Sequence, residues 1–292
     1  MKLFVTGGSG FIGRNLVEAF SGKYELFAPS HHELELLDED SVTAYLEKHK
    51  VDVIVHSAVR PGHRNAKDPS DQLIKNTRMF FNLARNKHLY KKMIFLSSGC
   101  VYDQRFYQPK MKEVSFDSHV PVDEGGLSKY IIAKHIEKAE QITELRVFGV
   151  FGKYEDYAIR FISNMICKAL FDLPLTMKQD RKFDYIYIDD LIAVIEYFIE
   201  HQGQHKAYNI TPDSSIKLTE IAKMVLKISG KDLPITVASK EMGLEYSGDN
   251  LRLKQEINKL VVSPLEGSIS SLYSWYADNK NSINKELLVV DR

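Results

Sequence analysis

Leu3-Phe4-Val5-Thr6-Gly7-Gly8-Ser9-Gly10-Phe11-Ile12-Gly13-Arg14 is a short apolar run that breaks into glycines and then opens an amphipathic segment. A strand followed by a glycine turn and a helix is the arrangement that binds a dinucleotide pyrophosphate. Gly7 allows the tight turn, Gly10 lets the pyrophosphate approach the backbone at the helix N-terminus, and Gly13 permits the helix to pack closely on the strand. Phe11 and Ile12 begin the helix and complete the cofactor-binding turn.

Outward from this turn, short apolar runs alternate with helix-length amphipathic segments. Strands are expected at residues 3–6, 24–28, 53–57, 93–97 and 145–150, and helices at 11–20, 39–48, 69–86 and 128–139. That alternation predicts an α/β fold, a doubly wound parallel sheet of Rossmann type wrapped by helices. Past Phe151 the rhythm loosens into a helix over 157–171, a strand over 183–188, a helix from Leu191 to Glu200, a strand over 207–210 and a helix over 218–229. The expected organisation is a dinucleotide-binding domain over 1–150, completed by about 183–210. A smaller C-terminal α/β substrate lobe comprises 151–182 and 211–292.

The 292 residues carry 39 Lys plus Arg against 39 Asp plus Glu, so no whole-chain field draws nucleic acid or an anionic membrane. An anionic ligand therefore needs a local site. Two cysteines, Cys100 and Cys167, make neither a disulfide framework nor a zinc ligand set. They fit a reducing cytoplasm, and no apolar run approaches the length of a membrane span.

The cofactor's second phosphate is read from the end of the second strand. An NAD site usually carries Asp or Glu there, to bind the ribose 2′-hydroxyl and repel a 2′-phosphate. This chain has Ala28-Pro29-Ser30-His31-His32 instead, with Arg14 just past the last glycine. Ser30 and His31 as hydrogen-bond donors and Arg14 as a charge favour NADP(H) over NAD(H). Glu33, close by, is the counter-argument, and two solvated histidines are the alternative reading of His31 and His32.

For chemistry, Tyr130 and Lys134 stand four residues apart, which on a helix puts a phenol and an ammonium on one face. A cation beside a phenol favours the phenolate and brings a tyrosine of ordinary pKa ~10 toward acid/base work. The same spacing recurs at Tyr276 and Lys280, in a stretch that reads as a packed C-terminal helix. Ser98, at a strand's carboxyl end and 32 residues before Tyr130, distinguishes the first pair.

The glycine turn, Val55-His56-Ser57-Ala58, Leu96-Ser97-Ser98-Gly99-Cys100-Val101-Tyr102, Tyr130 with Lys134, and Tyr187-Ile188-Asp189-Asp190-Leu191 follow one another over nearly the whole chain. Together they resemble the extended short-chain dehydrogenase/reductases, a family of nucleotide-sugar epimerases, dehydratases and ketoreductases. The resemblance implies that Tyr130 gives or takes a proton, that Lys134 holds the nicotinamide ribose and lowers the tyrosine pKa, and that Ser98 bonds the reacting oxygen. It also implies Leu36, Ser57 and Ala58 beside the cofactor.

Gly99 and Cys100 stand where the family's dehydratases carry an Asp-Glu pair, which argues against water loss. The Ser-Gly-Cys-Val-Tyr stretch is similar to the GDP-L-fucose synthase-like 4-ketoreductases, in which a cysteine at this position works in epimerisation. Cys100 is thus either an acid or base or a small residue at a strand end. Ser98, Gly99 and Cys100 are the expected sugar contacts. Arg160, Arg181 and Arg252 are candidate ligands of the diphosphate, because guanidinium binds phosphate bidentately.

The leading reading is NADP-dependent reduction of the 4-keto group of a nucleotide-activated deoxysugar. A 4-epimerase of the same family and a non-catalytic dinucleotide-binding module are the alternatives. The resemblance further implies a homodimer through the helices at 69–86 and 128–139, with Met79-Phe80-Phe81 and Tyr130-Ile131-Ile132 as apolar groups.

Overall fold

The structure, a computed structural model, describes residues 1–60, 71–258 and 260–289. The chain opens with β1 (Lys2–Thr6), α1 (Phe11–Phe20), β2 (Glu25–Phe27), α2 (Glu39–His49), β3 (Val53–His56), α3 (Gln72–Ala84) and β4 (Lys92–Ser98). It continues through α4 (Glu124–Ile136), β5 (Ile142–Val147), β6 (Val150–Phe151), α5 (Phe161–Leu170), β7 (Leu175–Gln179), β8 (Lys182–Phe183) and β9 (Ile186–Tyr187). The last elements are α6 (Ile188–Glu200), β10 (Ala207–Ile210), β11 (Ile216–Lys217), α7 (Leu218–Ser229), β12 (Ile235–Ser239), α8 (Leu251–Glu256) and α9 (Leu265–Asp278).

Six strands form one parallel sheet in the order β10-β5-β4-β3-β1-β2. Successive side chains of a strand point to opposite faces, and both faces of this sheet are covered. Leu3, Val5, Val53, Val55, Ile94, Leu145 and Val147 enter a core with α1 and α6. Their neighbours Phe4, Ile54, Met93, Phe95 and Ile142 enter a second core with α2, α3 and α4. A third core joins α5, α7 and α9, where Ile166, Cys167, Ile221, Val225, Ile269 and Leu272 are buried.

The chain leaves β1 for β2 on one side and returns to β3 on the other, which opens a crevice at the carboxyl edge between β1 and β3. The register aligns Thr6 with His56, His56 with Phe95, and Ser98 with Val147, so the segments after β1, β3 and β4 emerge along one edge.

Several boundaries differ from the sequence reading, each for a local reason. Helix α4 starts four residues before Ser128 because the Asp123 carboxylate accepts from the Gly126 N–H at 2.7 Å and caps the helix there. The strand expected over 145–150 is two strands, β5 and β6, parted at Phe148-Gly149, where a Cβ on Gly149 would lie 2.1 Å from the Asp184 carbonyl oxygen. The strand expected over 183–188 splits into β8 and β9 around Asp184, whose buried carboxylate accepts from the Gly248 N–H at 2.8 Å and from Thr211. Phe183 belongs to the third core, and the chain rejoins the sheet's own core at Ile186. The helix expected over 69–86 is α3 from Gln72; Pro69 and Ser70 lie outside the described residues.

Met79, Phe80 and Ile132, offered by the sequence reading to a dimer interface, are buried in the second core instead. Packing α3 and α4 on the sheet uses the faces that carry these residues. Ile74 and Ile131 are the apolar residues those helices leave exposed.

Candidate active site

The glycine turn is built as its sequence requires. Gly7 has φ +69°, its carbonyl accepts from the Gly10 N–H at 3.0 Å, and a Cβ on Gly13 would lie 2.0 Å from that same carbonyl oxygen. A Cβ on Gly7 would meet the Ala58 backbone at 2.9 Å, so the turn lies directly against the segment leaving β3. The α1 N-terminus, with no side-chain cap on Gly10, presents its first N–H groups at this edge. These features fit a dinucleotide pyrophosphate.

Thr6 ties the two segments together. Its hydroxyl oxygen accepts from the N–H of Ser57 at 3.2 Å and of Ala58 at 3.1 Å, which leaves its own proton for His56 Nδ1 at 2.8 Å. His56 is buried, and burial pushes its pKa down to about 3, so the ring is neutral and Nδ1 accepts. Ser57 spends its hydroxyl on the Thr6 carbonyl at 2.6 Å. Ser57 and Ala58 thus shape the crevice chiefly through the backbone.

The predicted phosphate donors are held by carboxylates. The Ser30 N–H and hydroxyl both donate to Glu33 Oε2 at 2.8 Å, which holds the Glu33 carboxyl below its ordinary range. His31 lies 3.4 Å from Glu35. The Arg14 guanidinium stacks on the Tyr154 ring at 3.7 Å, beside Glu18. Leu36 is a core residue whose carbonyl accepts from Asn82.

Helix α4 gives Tyr130 and Lys134 partners of their own. The Tyr130 hydroxyl donates to Asp117, and Lys134 Nζ reaches Asp117 at 2.9 Å and Glu137 at 2.8 Å. The Asp117 carboxylate raises the Tyr130 pKa and outweighs the lowering by Lys134, contrary to the activated phenol that the resemblance implied. The pair forms a surface clamp on the loop before α4.

The cation that faces the sheet is Lys129. It lines a narrow hollow with His56, Ala58, Phe95, Leu96 and Ser128, adjoining the glycine turn through Ala58. Burial pushes its ammonium pKa down, opposed by the nearby Cys100, Glu144 and Asp123. One residue along a helix turns the side chain by about 100°, so Lys129 and Tyr130 cannot serve the same site. Lys129 shares the sheet-facing side of α4 with Ile132 and Ile136, and that spacing was the signal in the sequence for Lys129.

At the end of β4, Ser98 Oγ accepts from the Cys100 N–H at 3.3 Å. Ser98 and Cys100 are partly exposed, whereas Gly99 is buried beneath Phe148 and Tyr246, whose hydroxyl would lie 2.6 Å from a Cβ at that position. Gly99 therefore spaces these rings against β4. Tyr107 donates to the Gly99 carbonyl at 3.0 Å and packs on Tyr246 at 5.1 Å, forming an aromatic wall that the sequence reading missed. Cys100 joins this wall to α4: a Cβ on Gly126 would touch the Cys100 carbonyl oxygen at 2.8 Å.

The three arginines do not converge. Arg160 stands at the N-cap position of α5, exposed and without a side-chain capping bond, and Arg181 lies beside Phe183 and Gly243. Arg252 donates to the Ala207 carbonyl at 3.0 Å, at the amino end of β10 and hence at the opposite edge of the sheet. Tyr276 is buried in the third core, as its setting in a packed C-terminal helix predicted.

Comparison with known proteins agrees with this fold. The sequence profile of the NAD dependent epimerase/dehydratase family matches residues 3–211. The GDP-L-colitose synthase of Yersinia pseudotuberculosis is 24% identical over 97% of this chain and 100% of its own length. A GDP-L-fucose synthase of Azorhizobium caulinodans is 36% identical over 35% of this chain and 34% of its own. The GDP-mannoheptose C4 reductase of Campylobacter jejuni, solved with NADP bound, shares the fold with a TM-score of 0.81 at 20% identity, covering 94% of this chain and 98% of that one. The chain belongs to the NAD dependent epimerase/dehydratase family and is an NAD(P)-dependent enzyme of the extended short-chain dehydrogenase/reductase type.

Proposed function

We propose that the protein reduces the 4-keto group of a nucleotide-activated deoxysugar, with NADP(H) as cofactor. The observation that carries this reading is the convergence of the glycine turn, Ala58, Lys129, Ser98 and Cys100 on one edge of the sheet. The cofactor would lie along Gly7, Gly10 and the α1 N-terminus, with Lys129 as the cation near its reactive end. When bound, the reduced nicotinamide supplies a hydride to the ketone carbon. The Ser98 hydroxyl donates a hydrogen bond to the carbonyl oxygen as negative charge develops there. The Cys100 thiol stands beside it, and a carboxylic acid pair for water removal is missing at Gly99 and Cys100.

NADP(H) is favoured by Ser30 and His31 just past β2, where Glu33 is exposed and Glu35 is half-buried and also accepts from the Leu37 N–H at 2.8 Å. NAD(H) is the alternative if Glu33 keeps its place. Relatives named for GDP-sugar synthesis support the substrate class. The reading carries a cytoplasmic location, and a homodimer through the outer faces of α3 and α4, where Ile74 and Ile131 stand exposed. Light scattering tests the dimer; a monomer at micromolar concentration overturns it.

The functional test is product NMR after incubation with a panel of 4-keto-6-deoxy nucleotide sugars and either NADPH or NADH. Stoichiometric consumption of NADPH with a new axial or equatorial C4 hydroxyl is the expected result. Turnover without added reductant indicates a 4-epimerase, and tight cofactor binding with no turnover indicates a binding module.

A further inference from the structure

We infer that Lys129 and Gly125 occupy the two seats of the proton-transfer pair in this chain, and that the phenol seat is empty. The inference rests on the ketoreductase reading for its chemistry but not for its geometry. A phenol that works with an ammonium across one helical turn stands four residues before it on the same face. The ammonium on the sheet-facing stripe of α4 is Lys129, in the hollow with His56, Ala58 and Leu96. Four residues earlier is Gly125. The tyrosine that the sequence offers instead, Tyr130, is turned away and bound to Asp117.

The other phenols near this edge do not fill the seat. Tyr107 is bound to the Gly99 carbonyl, and the Tyr246 hydroxyl occupies the space a Cβ on Gly99 would need. Burial raises the pKa of both. A Cβ is tolerated at this position: on Gly125 it would meet Gln72 Oε1 at 3.1 Å, the end of a side chain that need give only a few tenths of an ångström, and Asp123 Oδ1 at 3.4 Å, an ordinary contact.

The reaction then balances as follows: the ketone carbon gains a hydride with its two electrons from NADPH, which leaves as NADP⁺, and the oxygen takes its proton from solvent water. A positioned general acid is worth roughly 10²–10⁴ in rate. Turnover by the native chain is slow for want of one, and a tyrosine at 125 restores it.

The experiment has two arms. NADPH binding, followed by its fluorescence, is measured for the native protein, Lys129→Met, Lys134→Met and Tyr130→Phe. Turnover of 4-keto sugars is measured for the native protein, Gly125→Tyr and Gly125→Phe. We expect Lys129→Met to weaken NADPH at least tenfold while the other two bind as the native protein does. We expect Gly125→Tyr to turn over about 100-fold faster than both the native protein and Gly125→Phe. Loss of NADPH affinity in Lys134→Met or Tyr130→Phe equal to that in Lys129→Met overturns the seating. So does a Gly125→Tyr that is no faster than Gly125→Phe on a sugar the native protein reduces. A panel in which neither the native protein nor Gly125→Tyr reduces any sugar counts against the ketoreductase reading, and the binding arm then decides the seating alone.

Discussion

Glu155 gives the molecule a stability that depends on pH, and Glu155→Gln removes that dependence. The carboxyl lies in the turn before α5 with 6% exposure, and its Oε2 accepts from the Ser163 hydroxyl at 2.6 Å. Burial pushes its pKa from 4.5 up to about 8, against the opposing pull of Ser163 and Arg160. The folded protein therefore holds this proton more tightly than the unfolded chain. Its contribution is complete below about pH 4.5 and declines as pH rises toward 8. The slope is about 1.4 kcal/mol per pH unit, or roughly 3 kcal/mol between pH 5 and pH 7. Glutamine keeps the shape and the bond to Ser163 without titrating. Urea unfolding at pH 5, 6 and 7, followed through Trp275, which packs on Tyr276 beside the same core, measures both proteins. The stability of the variant relative to the native protein should rise by roughly 3 kcal/mol across that range. Every other titrating group, Asp184 included, cancels in the difference. Parallel curves would refute a neutral Glu155.

Gly13→Ala places a Cβ against the Gly7 carbonyl oxygen and should weaken NADPH binding by roughly 100-fold or more in a fluorescence titration. Glu33→Gln removes the carboxylate that holds Ser30, and the ratio of NADP to NAD affinity should rise about tenfold by calorimetry. Arg146 and Glu144, 3% and 1% exposed, are bonded at 2.8 Å. Glu144→Leu should cost about 3–5 kcal/mol in urea unfolding, most of it recovered in the double variant with Arg146→Met.

The sheet was legible because strands covered on both faces are apolar throughout, and because glycines at 7 and 13 have a steric reason that no other residue satisfies. Boundaries were less so. The start of α4 depends on the Asp123 cap, and the break between β8 and β9 depends on contacts of Asp184 with residues far away in sequence. Spacing alone does not fix the proton-transfer pair, because a four-residue spacing of Tyr and Lys occurs twice here and carries no information about which way a helix faces. The apolar stripe through Ile132 and Ile136 contains that information and selects Lys129. Arg252 was unreadable for another reason: its place at the amino edge of the sheet follows from the pairing of β10 with β5, which is a fact of topology.

Asp184 anchors the turns at this edge. One carboxylate accepts from the N–H of Gly248, from Thr211 after β10, and at 3.5 Å from the N–H of Gly149 after β5. Three turns distant in sequence thereby share a single anchor. Substitutions in them will not sum: a first that releases the carboxylate spends most of the loss available to a second, so pairs of variants at 149, 211 and 248 will show coupling of about 0.5–3 kcal/mol. Variation at any one of these turns is therefore constrained by the residues present at the other two.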